Sequence, residues 1–116
     1  MNTKLSKILA EISAGELIDK ITILEIKKIK ITDQHKLLEI EKELSSLNET
    51  MKNLIPNDFN IFKFKKNLKD INLKLWDVEN GKRSAEKNKD FDKKFIELAR
   101  NVYKFNDERA KIKLAI

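Results

Sequence analysis

The chain has 116 residues, 41% of them hydrophobic and 38% charged, with two glycines, one proline and no cysteine. That composition suits one modest core under a charged surface, in a single domain over residues 1–116. It excludes disulfides, thiolate catalysis and cysteine-based metal sites, and the lone His35 argues against zinc, so no metal and no cofactor is expected.

The net charge is +6, and of 25 basic residues only Arg83, Arg100 and Arg109 are arginines. "KKIK" and "FKFKKNLK" are lysine-rich, but over the chain 25 basic residues are interspersed with 19 acids rather than gathered in one basic stripe. No DNA-binding helix motif or RNA-binding signature accompanies them, so nucleic acid is not expected as a partner.

Residues 1–12 read as an N-terminal arm or a short helix, with Leu5, Ile8, Leu9 and Ile12 at helical spacing. Lys4, Lys7 and Glu11 interrupt it, so it is not a signal peptide. No run of about 18 uncharged apolar residues exists to span a bilayer. The chain reads as soluble and cytoplasmic.

Ser13 precedes Glu16 by three residues, the pattern of a capping box, and predicts a first helix from Ala14 to about Ile31. This stretch, "GELIDKITILEIKKIKI", is apolar on every side. With Leu17 at zero on a helical wheel, Ile21 and Leu24 lie beside it, and Ile23 and Ile26 fall near the back. Such a helix is central to a bundle or forms a dimer interface. A second copy of the chain is therefore an expected partner.

Thr32 and Asp33 are capping residues for a second helix, whose stripe is Leu37, Ile40, Leu44, Leu47, Met51 and Leu54. Pro56 ends it. Asp58 or Asn60 caps a third, with Phe64, Leu68, Ile71, Leu75 and Val78 on its stripe and Trp76 alongside. Gly81 near its end can fray it, or the polar tail "KRSAEKNK" can continue the helix. Asp90 or Asp92 caps a fourth, running to about Leu114 with Phe95, Ala99, Val102 and Tyr103 on one face. No stretch alternates with period two. The fold class expected is all-α, an antiparallel helical bundle of about four main helices.

The polar residues on apolar faces are the candidate site. Glu16 and Lys20 are four apart and can satisfy each other locally, and Glu25 has Lys28 three residues on. Asp19 has no basic residue three or four positions away, so a buried Asp19 needs a cation from another helix. Asn72, Glu79 and Arg83 fall within about 40° of one another on the third helix. Asn106 and Arg109 extend the apolar face of the fourth. In a chain so biased to lysine, an arginine on an apolar face suggests a use for its planar fork. The set Asp19, Lys20, Glu79, Arg83, Asn106 and Arg109 is read as a structural polar network or as a pocket for a small anionic ligand. No catalytic residue is assigned.

Three segments carry a resemblance. "GELIDKITILEIK", "NLKLWDVENGKRSAE" and "DFDKKFIELARNVYKFNDERAKIK" resemble the successive signatures of an uncharacterised bacterial and phage domain family, across nearly the whole chain. The resemblance implies no activity. The first segment is also similar to the opening helix of the all-helical chorismate mutases. That likeness implies binding of a dicarboxylate, with Lys20, Arg83, Arg109 and Glu79 as stand-ins for the family's cations and acid. The remaining motifs of that family are absent. The reading favoured is a non-catalytic interaction or assembly module, with an anion-binding pocket or enzyme as the alternative.

Overall fold

Each helix begins where a side-chain oxygen takes up amides that have no partner within the helix. In the computed structural model, which describes residues 5–116, α1 (Ala14–Lys30) starts after Ser13. The Ser13 hydroxyl accepts from the Glu16 amide at 3.1 Å. Before α2 (Gln34–Leu54), Asp33 accepts from the amides of His35 and Lys36 at 2.9 and 3.2 Å. Asp58 accepts from Ile61 at 2.9 Å before α3 (Phe59–Lys87). Asp92, rather than Asp90, opens α4 (Lys93–Ala115) by accepting from Lys94 and Phe95. The chain is all-α, and no strand occurs among the described residues. Residues 5–13 form no helix and are exposed. The part of the expected arm at residues 1–4 lies outside the described residues.

The all-round apolar helix is central. α1 contacts each of the other three, while α2 contacts α1 alone. On one side Leu17, Ile21 and Leu24 pack against Ile40 and Leu44, with Leu47, Met51 and Ile55 at the margin. Ile55 takes the place expected of Leu54, which is exposed. On the other side Ile18 and Ile26 are buried with Leu68, Ile71, Leu75 and Val78 of α3 in the core. Full burial of a side chain of this size contributes roughly 1.5–3 kcal/mol.

α3 and α4 form an antiparallel hairpin. Gly81 lies against Leu98, and the Lys74 ammonium sits 5.6 Å over the Phe105 ring, so both contacts share one register. Gly81 does not fray α3, which continues to Lys87. The inward residues of α4 are Phe95, Leu98, Val102, Phe105, Arg109 and Ile112, all partly buried. The expected face is therefore shifted, because Ala99 and Tyr103 are exposed. The hairpin is long, and the radius of gyration is 16.7 Å, against about 13 Å for a compact domain of about 100 residues. No described helix is long and apolar enough to cross a membrane.

α1 lies across the open end of this hairpin. Its first turn meets the last turn of α4, and Gly15 is what permits the approach. A Cβ at Gly15 would overlap the Lys113 carbonyl oxygen and lie 3.1 Å from its Cα. At Gly81 a Cβ would meet only the end of the Leu98 side chain, at 3.2 Å. Gly15→Ala is expected to destabilise by about 1–3 kcal/mol in denaturant melts, since backbone must move. Gly81→Ala should stay within about 1 kcal/mol of the parent, helix propensity offsetting a small shift of Leu98.

α3 ends in a Schellman turn. The Asp90 amide donates to the Ala85 carbonyl at 2.8 Å and the Lys89 amide to Glu86 at 3.1 Å. The turn places Lys89 at φ 53°, the left-handed region where a side chain is disfavoured. Lys89→Gly is expected to raise stability by about 0.5–1 kcal/mol in the same melts; an unchanged midpoint would refute this.

Candidate functional site

Asp19 stands in the second turn of α1 on the side facing the hairpin, and is 1% exposed. Both of its carboxylate oxygens are occupied. Oδ1 accepts from Asn72 Nδ2 of α3 at 2.9 Å and from Arg109 Nε of α4 at 3.0 Å. Oδ2 accepts from Arg109 Nη2. The pair is thus bidentate, the geometry that a guanidinium offers and an ammonium does not. The Asn72 amide also donates to Thr22 Oγ1 at 2.9 Å, and that hydroxyl donates to the Asp19 carbonyl at 2.8 Å. Lys113 adds a cation 3.9 Å from Asp19 Oδ2, while holding Glu16 at 2.5 Å.

Burial by itself pushes the Asp19 carboxyl up. The hydrogen bonds from Arg109 and Asn72, with the charges of Arg109 and Lys113, outweigh that and hold it below the usual carboxylate range. The hydrogen bond to Asp19 raises the Arg109 guanidinium in turn, more than its partial burial lowers it. Asp19 is an anion with its lone pairs engaged, which makes it a poor proton acceptor at neutral pH.

The other candidates divide. Glu79 and Arg83 do not pair with each other. Glu79 lies 4.0 Å from Lys82, a marginal ion pair. Together with Arg109, Asn72 and Trp76, Glu79 and Arg83 line a surface hollow of about 240 Å³ between α1 and α3. Lys20 and Asn106 are exposed and line neither this hollow nor the Asp19 cluster. The four-residue set implied by the mutase likeness is therefore not assembled, since Lys20 is elsewhere. Trp76 is partly buried, at the hollow's edge. Among the described residues no three metal-ligating side chains gather as a metal site would need.

Several partners escape a reading of single helices. Glu16 turns from Lys20 to Lys113. Glu25 turns from Lys28 to Lys65 and Lys69 of α3, at 3.3 and 3.6 Å. Thr22, three residues after Asp19 on the same side, is the one sequence signal that could have extended the cluster.

The chain matches the model of a family of unknown function over residues 8–116. The chain belongs to DUF6165. It matches no curated protein and no solved structure. In this DUF6165 chain, then, the geometry itself carries the functional reading.

The Asp19–Arg109 pair makes a directional prediction. Arg109→Ala strands a carboxylate that water cannot reach, and is expected to cost about 3–5 kcal/mol. Asp19→Ala strands a guanidinium whose side chain is 27% exposed, and should cost less. A double-mutant cycle in denaturant should show coupling above about 0.5 kcal/mol; additive losses would exclude a direct interaction. Because the folded Asp19 pKa is lowered, its stabilisation is present above the unfolded value of about 3.9. It is lost as pH falls through the folded value. Asp19→Asn should therefore flatten the fall in stability below about pH 4.

Proposed function

We propose that this chain is a non-catalytic assembly module, cytoplasmic and of bacterial or phage origin, that pairs with a second copy of itself through α4. The observation that carries the reading is a second apolar stripe on that helix. Ile96, Ala99, Tyr103, Ala110 and Leu114 recur at spacings of three, four, seven and four, and all are exposed. Ile96 is 49%, Tyr103 72% and Leu114 88% exposed. The stripe lies beside the face that packs on α3, and α4 has no buried residue at all. Two small residues, Ala99 and Ala110, would let a second helix approach closely.

The charges beside the stripe favour a second copy. Arg100 and Asp107 are exposed on the same flank, seven residues apart. Two α4 helices running antiparallel bring Arg100 of each opposite Asp107 of the other, giving two reciprocal pairs about a twofold axis. α1 does not offer this surface. Ile18 and Ile21 are fully buried within the chain, and Ile29 is its only large apolar residue that is mostly exposed.

Sedimentation of the purified chain should give a mass that rises from monomer to dimer with concentration. Tyr103→Glu should weaken the association at least tenfold, about 1.4 kcal/mol, without loss of helicity. Arg100→Asp and Asp107→Arg should each weaken it, and the double exchange should restore it. A monomer mass at every concentration would end the proposal.

A further inference from the structure

The hollow between α1 and α3 has a composition that the buried network does not explain. Its apolar lining comes from Ile23, Ile26 and Leu75, with the Trp76 indole beside them. Its charged lining comes from Lys27, Glu79, Arg83 and Arg109. Arg109 is neutralised by Asp19, which lies behind it. Among the described residues, neither Lys27 nor Arg83 has an ion-pair partner. Glu79 offsets one of these two cations, so the hollow retains a surplus of one positive charge.

From this arrangement we infer a binding site for a small aromatic monocarboxylate that carries a hydrogen-bond donor. The surplus charge calls for one anionic group, which Arg83 grips as a fork and Lys27 attracts as a point charge. The indole and the aliphatic side chains suit a flat apolar body. Glu79 is an acceptor with only a weak partner, and suits a hydroxyl or amino group at the far end of the ring. The volume of about 240 Å³ lies below the roughly 300–1,000 Å³ of sites for drug-sized molecules, so a single ring fits better than a fused system. The site is lined by α1 and α3 with Arg109 of α4 at its wall, on the side of α4 away from its exposed stripe, so it does not depend on pairing through that stripe.

The probe is 4-hydroxybenzoate, titrated into the 116-residue chain. Trp76 is the only tryptophan, so the single indole N–H signal in a proton–nitrogen correlation spectrum reports on the hollow. The expected result is a saturable shift of that signal, with acetate and phenol each binding at least tenfold more weakly. Arg83→Gln should weaken binding at least tenfold, and Lys27→Gln in the same direction. Arg83 is exposed and Lys27 only partly buried, so neither change should move the thermal midpoint. Absence of a saturable shift, equal binding of acetate, or unchanged affinity in Arg83→Gln would each overturn the assignment.

Discussion

A carboxylate without water is the constraint around which this structure is arranged. Asp19 is sealed beneath three helices, and its charge is tolerable there only with donors that those helices supply. Asn72 comes from α3, Arg109 and Lys113 from α4. The network closes only when α1, α3 and α4 are all in place. Apolar contacts alone would hold α1 against the hairpin but would tolerate rotation or a sliding register. The ionic network has one geometry. Gly15 completes the constraint from the other side, since the first turn of α1 can seat against Lys113 only where no side chain intervenes. Gly15, Glu16 and Asp19 thus meet residues 109–113 as one patch.

Much of this was legible before any coordinates. Ser13, Asp33 and Asp58 stand where capping chemistry demands, so the helix starts follow from local rules. The apolar residues on all sides of α1 could mean a surrounded helix or an interface. The contacts with α2, α3 and α4 show that it is surrounded. Asp19 was conspicuous because its own helix offers it nothing, and a missing local partner is a property of sequence. Arg109 was conspicuous for the complementary reason, as a rare arginine on an apolar face.

Apparent local satisfaction misled. Glu16–Lys20, Glu25–Lys28 and Glu79–Arg83 all have helical spacing, yet none of the three pairs forms. Exposed i,i+4 pairs are worth only a few tenths of a kcal/mol. A cation brought close by another helix, in a partly desolvated setting, outcompetes them. Lys113 does this for Glu16, and Lys65 with Lys69 for Glu25. Such partners depend on where two helices cross, which wheel angles do not contain. The position of Lys20 follows from the same fact: its local partner is engaged elsewhere, and its side chain is left to solvent.

The shift in the α4 face has a different origin, and it bears on function. Apolar residues on that helix span more than half of its circumference, from Phe105 and Ile112 on one side to Ile96 and Leu114 on the other. A wheel shows one wide band, centred near Phe95 and Val102, with Ala99 and Tyr103 toward its Ile96 side. The hairpin uses only one margin of that band. Its packing residues reach no more than partial burial, because α3 covers α4 from a single direction. Arg109 sits at this used margin, with its Nε and Nη2 on Asp19 and its outer side on the hollow. The unused margin faces away from both. A helix with this much apolar surface, covered by α3 along one side and met by α1 only near its C-terminal end, has room for another, which is why the proposed partner is placed on α4 and not on the richly apolar but enclosed α1.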